Sequence, residues 1–300
     1  MPCMRADLGT VVITGAAGRI GSVVRRHLRA DVRRLVLVDR VPLSVESPVE
    51  QTIRLDLADL DAVAAAMAGA DAVVHLAGLP DEAPMADLLD SNVLGTYHVL
   101  EAARRHRVGR VVLAGSNRVT GFYPVGQVVT PDDPVRPDGF YGVSKVAVEA
   151  LGRLYADKFG LSVVCLRIGS FEDEPTEARY LATWLSPRDG VGFIRAAITA
   201  PDVHFVTAYA VSANTRRFWD TAAGAQIGYQ PVDNAETYAA RVPGSEATTD
   251  SAAVQGGAYA SPEYSLRHAV TPPPSGVRGV GAEHAGQSTG EHGDERFRRG

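Results

Sequence analysis

The chain has few cysteines and no long apolar run. Its two cysteines, Cys3 and Cys165, suggest neither a disulfide framework nor a cluster of metal ligands. The longest apolar runs, such as 72–77 and 161–166, have the length of a strand, whereas a membrane helix needs roughly 20 residues. A formal net charge of −5 gives no basic field for nucleic acid. We therefore expect no membrane span, no nucleic acid partner and no bound metal.

The N-terminal segment lacks the features of a secretory signal. Residues 1–8 carry one arginine and no extended apolar stretch before the first predicted strand. With 300 residues and 45% hydrophobic content, the chain is long enough to bury a sizeable core. These features favour a soluble, cytoplasmic enzyme built on one main domain.

Short runs rich in Val, Ile and Leu alternate with amphipathic segments along most of the chain. Predicted strands occupy 10–15, 35–39, 52–57, 72–77, 110–116, 161–170 and 203–211. Predicted helices occupy 19–28, 60–67, 88–107, 141–159 and 192–199, and 233–242 could form one more. This alternation, with right-handed crossovers, predicts an α/β fold with a doubly wound, Rossmann-type parallel sheet of about seven strands.

A glycine-rich turn follows the first predicted strand. Residues 14–21 read Thr-Gly-Ala-Ala-Gly-Arg-Ile-Gly, so Gly15, Gly18 and Gly21 recur every three residues at the start of a helix. Glycine lets the backbone approach a pyrophosphate, and the unsatisfied N–H groups of the helix N-terminus stabilise its charge. The turn therefore predicts a dinucleotide site.

An acidic residue at the end of the second strand indicates which dinucleotide binds. Asp39 lies about 20 residues beyond the turn, where a carboxylate accepts both ribose hydroxyls of the adenosine. It would repel the 2′-phosphate of NADP, although Arg40 could reach that phosphate if the acid turned away. The sequence favours NAD over NADP, with Asp56 and Leu57 flanking the adenine. The alternative for Asp39 is a turn residue that only ends the strand.

Tyr141 and Lys145 lie four residues apart in a predicted helix, so the phenol and the ammonium share one face. An isolated tyrosine has a pKa near ~10, and a neighbouring cation must favour the phenolate before it accepts a proton near neutrality. Lys145 and Lys158 are the only lysines in a chain that otherwise uses arginine. We predict that Tyr141 is the base and that Lys145 supports it and binds the nicotinamide ribose. The alternative is a surface tyrosine beside a solvated lysine.

Two polar residues could complete this catalytic group. Ser116 ends the fifth predicted strand, at the edge where such sheets bind ligands, and its hydroxyl could bond a reacting oxygen opposite Tyr141. Asn92, in the preceding helix, could orient a water molecule or a backbone group behind the site. The alternatives are a serine that caps the strand and an amide with a local contact.

Together these residues resemble the extended and atypical short-chain dehydrogenases/reductases, the superfamily of NAD-dependent epimerases and dehydratases, over residues 9 to about 242. Three segments are similar to bacterial uronate dehydrogenases. They are 116–124 (Ser-Asn-Arg-Val-Thr-Gly-Phe-Tyr-Pro), 167–170 (Arg-Ile-Gly-Ser) and 182–186 (Ala-Thr-Trp-Leu-Ser).

The resemblance implies a receptor for a substrate carboxylate. In that family an arginine in the loop after strand six holds this group, and Arg179 stands at the matching position. Its guanidinium fork suits a bidentate grip. The alternative is a salt bridge with Glu174 or Glu177.

The resemblance also extends the list of candidate site residues. The cofactor-binding candidates, in the turn, at the strand ends and on facing helices, are Gly15, Gly18, Arg19, Ile20, Gly21, Asp39, Asp56, Leu57, Ala77, Asn92, Lys145 and Ser170. The substrate-binding candidates, beside the expected nicotinamide, are Gly78, Ser116, Asn117, Arg118, Phe171 and Arg179. Two positions depart from the family pattern, with Pro80 and Gly115 where serines are more usual.

The chain divides by composition near residue 244. Residues 1–244 are predicted to form the NAD-binding domain, with substrate-binding elements mainly in 170–244. Beyond it, Gly, Ser, Thr, Pro, His and Arg dominate, and 272–274 are three prolines. We predict that 245–300 is a disordered, low-complexity tail.

The resemblance implies NAD-dependent oxidation of a hexuronic acid, galacturonate or glucuronate, at C1 to an aldarolactone. The short region after the last strand agrees with a small substrate. The alternatives are a nucleotide-sugar epimerase or dehydratase, which returns the hydride to its substrate, another sugar dehydrogenase, and a noncatalytic NAD-sensing module. The expected partner is a sugar acid, and the two long helices could pair copies into a homo-oligomer.

Overall fold

Seven parallel strands form the main sheet, as the alternating apolar runs predict. The structure is a computed structural model that describes residues 7–244 and 253–270. Its strands are β1 (Thr10–Thr14), β2 (Arg34–Asp39), β3 (Glu50–Arg54), β4 (Ala72–His75), β5 (Arg110–Ser116), β6 (Val163–Ile168), β7 (Ser170–Phe171), β8 (Trp184–Leu185) and β9 (Phe205–Ala210). The main sheet has the order β3-β2-β1-β4-β5-β6-β9, and β7 pairs with β8 in a separate parallel sheet.

Helices cover both faces of the sheet. The α-helices are α1 (Arg19–Leu28), α2 (Leu60–Ala66), α3 (Met85–Leu88), α4 (Gly95–Arg105), α5 (Phe140–Phe159), α6 (Tyr180–Thr183), α7 (Pro187–Thr199), α8 (Ala222–Gln226) and α9 (Pro262–His268). A π-helical segment spans Leu89–Leu94, and 3₁₀ segments span Asn117–Thr120, Ala235–Arg241 and Gly257–Ala260. No helix within the described ranges is long and apolar enough to cross a membrane.

The core lies in two layers because side chains alternate across each strand. On β1, Val11 and Ile13 pack in the layer that contains α1 and α7, whereas Val12 packs in the layer that contains α2, α4 and α5. Strand order reverses between β1 and β4, where the chain crosses from one half of the sheet to the other. Ligands of doubly wound sheets bind at the carboxyl edge of this crossover.

Several predicted elements differ in detail from the structure, among them the predicted helix 192–199, which begins earlier, at Pro187. The predicted helix 88–107 begins earlier, at Met85, and passes through the π-helical segment before α4. The predicted strand 161–170 is divided at Gly169, where a Cβ atom would lie 2.2 Å from the carbonyl oxygen of Thr183. The predicted helix 233–242 is a 3₁₀ segment instead.

Residues 253–270 do not form the disordered tail that composition predicts. This segment, the C-terminal strap, contains a 3₁₀ turn and α9 and belongs to the same compact unit as the sheet. Pro262 occupies the first turn of α9, and the Ser261 hydroxyl caps that helix by accepting from the Tyr264 N–H. Cys3 and the tail residues 245–252 and 271–300 lie outside the described residues.

Candidate active site

A cleft of about 480 Å³ opens at the carboxyl ends of β1, β4, β5 and β6. Most of the candidate site residues line it, as follows: Gly15, Gly18, Arg19, Ile20, Gly21, Gly78, Ser116, Asn117, Arg118, Tyr141, Lys145, Ser170, Phe171 and Arg179. Asp39, Asp56, Leu57, Ala77 and Asn92 are not among its lining residues. The candidates from distant parts of the sequence therefore converge on one cleft.

The glycine turn has the close packing that a dinucleotide site needs. Gly15 has a φ of +72°, and a Cβ there would lie 2.6 Å from the Ala77 nitrogen. A Cβ at Gly21 would lie 2.2 Å from the Gly15 carbonyl oxygen. Gly18 begins α1 without a side-chain cap, so no side chain occupies the N-terminal N–H groups of the helix. The turn therefore fits an anionic pyrophosphate.

The two acids expected around the adenosine, Asp39 and Asp56, differ in their contacts. Asp39 accepts hydrogen bonds from the backbone nitrogens of Ala17, at 2.9 Å, and Val41, at 3.0 Å, so its carboxylate sits beside the glycine turn. Asp56 is exposed and accepts from the nitrogen of Ala58. Asp39 thus has direct contact with the cofactor turn, whereas Asp56 stabilises its own local turn.

Two other candidates act from behind the cleft. The Leu57 carbonyl lies 2.6 Å from the His98 ring nitrogen, which ties the end of that segment to α4. The Asn92 amide accepts from the Leu79 nitrogen, at 2.7 Å, and donates to the Ser144 hydroxyl, at 3.0 Å. Asn92 therefore orients the backbone after β4 and joins it to α5. The widened π-helical turn is the element that presents this amide.

Tyr141 and Lys145 are both buried, which argues against a solvated surface pair. The Lys145 ammonium donates to the carbonyl of Ala114, at 2.9 Å, and lies 5.7 Å from the centre of the Tyr141 ring. Burial lowers the pKa of Lys145 to about 8. The same loss of water raises the pKa of Tyr141 to about 12.

The groups that favour the Tyr141 phenolate are not those expected from the sequence. The main influences opposing burial are the hydrogen bond from Ser116 and the positive charge of Arg118, both of which lower the pKa of Tyr141. We expected the oxidised nicotinamide and Lys145 to supply that charge. Its ammonium bonds a backbone carbonyl instead, and is itself held in a site where burial disfavours its charge.

Arg179 has the environment of an anion receptor. Its Nε donates to the Gln255 carbonyl, at 2.8 Å, and the guanidinium lies 5.4 Å from the centre of the Tyr259 ring. Among the described residues no carboxylate lies within 4.0 Å of it, so the alternative of a loop salt bridge is wrong. Glu174 pairs with Arg241 instead, at 3.5 Å. Burial lowers the pKa of Arg179, as expected for a cation without a counterion.

Arg118 lines the same cleft but is already neutralised. Its three guanidinium nitrogens contact Asp138, at 2.6 Å, Asp81, at 2.8 Å, and Glu82, at 3.3 Å. The guanidinium also lies 4.4 Å from the centre of the Tyr259 ring. With each nitrogen engaged, Arg118 has little capacity left for the substrate contact that the resemblance implies.

Sequence reasoning missed several residues that line the cleft. Tyr259 comes from the C-terminal strap, and Tyr180 follows Arg179 at the start of α6. Glu172 forms an ion pair with Arg19 across the cleft. A signal for the strap was available, because Ser-Pro-Glu at 261–263 is typical of a helix start. No local pattern indicates the partner of Arg19.

The two departures from the family pattern both lie in the cleft. Pro80 follows Gly78 and Leu79 on the segment after β4. Gly115 packs tightly on β6, since a Cβ there would lie 2.9 Å from the Cys165 sulfur and 3.0 Å from the Leu166 carbonyl oxygen. A serine at position 115 would therefore require β5 and β6 to separate locally.

A family model matches more than half of the chain, including the glycine turn and the start of α5. The model is described as the NAD dependent epimerase/dehydratase family, and it covers residues 11–180. The chain belongs to this family. Membership confirms the resemblance drawn from the sequence, and NAD is the cofactor by which the family is named.

Relatives within the NAD-dependent epimerase/dehydratase family include uronate dehydrogenases. The chain is 40% identical over 228 residues to the uronate dehydrogenase of Agrobacterium fabrum, covering 76% of this chain and 86% of the relative. The crystal structure of uronate dehydrogenase from Agrobacterium tumefaciens matches with a TM-score of 0.80 and 39% identity, over 84% of this chain and 97% of that one. A variant of that enzyme complexed with NAD matches with a TM-score of 0.79, at the same identity and coverage. These matches confirm the Rossmann-type fold.

Proposed function

We propose that the protein oxidises a hexuronic acid, such as glucuronate or galacturonate, at C1 and uses NAD as the hydride acceptor. The product is the aldarolactone. Arg179 carries the assignment of the substrate class, because it is a half-buried guanidinium with no carboxylate partner among the described residues and it faces the cleft that holds Tyr141. A sugar carboxylate supplies the missing counterion.

The glycine turn and Asp39 hold the dinucleotide. The N-terminus of α1 receives the pyrophosphate. The Asp39 carboxylate, which two backbone N–H groups hold in place, accepts hydrogen bonds from the hydroxyls of the adenosine ribose. Lys145, close to both Ala114 and Tyr141, donates to the nicotinamide ribose. When bound, NAD supplies the hydride acceptor and a positive charge beside the reacting hydroxyl.

Ser116 and Tyr141 act on the anomeric hydroxyl. The Ser116 hydroxyl lowers the pKa of Tyr141 and is placed to orient the sugar oxygen between the two side chains. Tyr141 accepts the hydroxyl proton while the hydride leaves C1. Because burial raises the pKa of Tyr141, this proton transfer depends on the positive charge that surrounds the phenol in the loaded enzyme. Arg179 aligns the sugar by gripping the carboxylate at its far end.

The direct test is NADH formation by purified protein with galacturonate or glucuronate, compared with galactose or glucose. We expect NADH only from the two acids. Arg179→Ala should lower kcat/KM for the acids by about 100-fold, mainly by raising KM, because a charge-assisted bidentate contact with the carboxylate is lost.

The matched control is Arg153→Ala, which removes an exposed i,i+4 ion pair with Asp157 on α5. Its kcat/KM should stay close to that of the unaltered protein. Equal rates with acids and neutral sugars, or an Arg179→Ala variant as active on uronate as the control, would contradict the assignment of Arg179. Conversion of a nucleotide sugar without net NADH would favour an epimerase or dehydratase.

A further inference from the structure

We propose that the C-terminal strap, residues 253–270, positions Arg179 for the substrate carboxylate, and that Arg118 acts as the fixed point that holds the strap. Arg118 is thus a positioning residue rather than a substrate ligand. This inference rests on the proposed function, since it assigns to the strap a part in recognising the acid. It concerns a segment that composition predicts to be disordered.

The strap makes the contacts that orient Arg179. The Gln255 carbonyl accepts from Nε, at 2.8 Å, which leaves the two terminal nitrogens of the fork without a hydrogen-bond partner among the described residues. An ideal Cβ at Gly257 would lie 3.1 Å from the Arg179 Cδ, so the strap backbone packs directly on the arginine stem. The Tyr259 ring lies 5.4 Å from the guanidinium. Three strap residues therefore fix one long, otherwise flexible side chain.

The N-terminal half of the strap is fastened to the turn at 121–127. The Gln255 nitrogen donates to the Tyr123 carbonyl, at 2.8 Å, and the Gly256 nitrogen donates to the Gly121 carbonyl, at 2.8 Å. The Gln255 side-chain amide donates to the carbonyls of Pro124, at 3.1 Å, and Gln127, at 2.8 Å. Gln255 is fully buried but is not a lining residue of the cleft. Its side chain can therefore be changed without removing a substrate contact.

The C-terminal half of the strap is fastened to the acids around Arg118. The Tyr264 hydroxyl donates to Asp81, at 2.5 Å, and the Ser265 hydroxyl donates to Glu82, at 2.9 Å. Asp81 and Glu82 both contact Arg118, whose guanidinium lies 4.4 Å from the centre of the Tyr259 ring. The strap thus reaches Arg118 through two carboxylates and one aromatic face.

Glu82 links this assembly to the catalytic helix. It accepts from the backbone nitrogens of Phe140, at 2.8 Å, and Tyr141, at 3.1 Å, at the start of α5. The same carboxylate contacts Arg118 and the Ser265 hydroxyl. The base, Tyr141, and the carboxylate receptor, Arg179, are therefore both held in place by the cluster around Arg118. A shift of the strap should weaken the grip of Arg179 on the sugar carboxylate while leaving the base itself in position.

The test is a double-mutant cycle between Gln255→Leu and Arg179→Ala in the full chain. Gln255→Leu removes the two amide hydrogen bonds and puts an apolar side chain of similar size in their place. We expect it to raise KM for glucuronate about tenfold with kcat nearly unchanged, because ground-state alignment of the carboxylate is weakened. In the Arg179→Ala background the same substitution should have almost no further effect on KM. The control is Leu266→Ala, at a strap position that is 60% exposed.

Two results would overturn the proposal. An unchanged KM in Gln255→Leu would mean that the strap does not position the receptor. Equal KM effects with and without Arg179 would mean that the strap acts on the substrate by another route. Should Gln255→Leu fail to fold, Tyr264→Phe removes only the hydroxyl bond to Asp81 and should produce a smaller KM effect with the same dependence on Arg179.

A second readout does not depend on uronate oxidation. Coupling is reciprocal, so Arg179 should stabilise the strap as the strap fixes Arg179. Chymotrypsin cleavage after Tyr259 and Tyr264 should therefore be several-fold faster in Arg179→Ala than in Arg153→Ala. If the protein forms no NADH from uronates yet shows this difference, the proposed function fails and the strap contact stands. Equal cleavage rates would overturn the contact itself.

Discussion

At the scale of single residues, the phenol of Tyr141 and the ammonium of Lys145 are both removed from water. Burial raises the pKa of the first to about 12 and lowers the pKa of the second to about 8. Each group is therefore held closer to its neutral form than it would be in solution. Such a pair responds strongly to a charge that arrives with a ligand, because little solvent screens it.

Removal of the Tyr141 hydroxyl should abolish the chemistry without disturbing the fold. We expect Tyr141→Phe to lower kcat for NADH formation by about 100-fold or more, because the group that accepts the substrate proton is lost. The comparison is Tyr155→Phe on the same helix, whose hydroxyl donates to Glu101 away from the cleft, and which should retain most of its kcat. Similar activity in the two variants would show that Tyr141 is not the base.

The buried lysine should make stability depend on pH. Below about pH 8 Lys145 carries a proton in both the folded and the unfolded chain, so the folded state bears the full cost of the buried charge. Between about pH 8 and pH 10.4, the lysine pKa of the unfolded chain, only the folded state has lost that proton, and stability rises with pH. Lys145→Met has no such cost.

The free energy of unfolding, measured by denaturant titration, checks this prediction. From about pH 7 to about pH 10, the free energy of unfolding of the unaltered protein should rise by about 2 kcal/mol relative to that of Lys145→Met. The other lysine, Lys158, is exposed on the same helix, and Lys158→Met should show no comparable shift. A pH-independent difference for Lys145→Met would mean that the ammonium is solvated.

At the scale of elements, the glycine turn combines a structural and a binding requirement. Alanine is the better helix former, so Gly21→Ala in α1 would gain about 1 kcal/mol from propensity alone. A Cβ at Gly21, however, would lie 2.2 Å from the Gly15 carbonyl oxygen, which lies in the turn itself. The turn must open to admit it, and its backbone then leaves the position suited to a pyrophosphate.

We therefore expect Gly21→Ala to reduce the free energy of unfolding by about 1–3 kcal/mol, as for other overpacked sites, and to weaken NAD binding. Thermal denaturation and calorimetric titration with NAD measure the two effects. Gly126→Ala is the control, since nothing lies within 4 Å of a Cβ at that position and its φ is not positive. NAD affinity equal to that of the control would mean that the turn does not receive the pyrophosphate.

The elements that sequence patterns predicted well are those with a local cause. Arg19–Leu28 was predicted with the bounds that the structure has, because its glycine turn, apolar face and basic last turn all act within a few residues. The π-helical segment Leu89–Leu94 was not predicted, since its widening places Asn92 against Leu79 and Ser144, which lie far away in sequence. The strap was missed because its few aromatic side chains pack on arginines of the main domain.

At the scale of the whole molecule, the alternation of apolar runs is sufficient to predict the main sheet from the sequence. Every strand of the main sheet falls within or beside a predicted run. For the central strands the reason is that a parallel strand buried on both faces must be apolar along its length, whereas the edge strand β3 is largely polar. The site is harder to predict, since its charges are paired across the fold. Arg118 and Arg179 look alike in sequence, yet one meets three carboxylates and the other meets none among the described residues. Only the tertiary structure separates their roles.

In the proposed reaction, the hydride taken from C1 of a hexuronic acid stays on NAD and is not returned to the sugar. The measurement that tests it most directly is the ratio of NADH formed to glucuronate consumed, with the product identified by mass. We expect a ratio of about one and a lactone two hydrogens lighter than the substrate, since each hydride taken from C1 remains on the cofactor. Consumption of glucuronate without net NADH, or a product of unchanged mass, would contradict it.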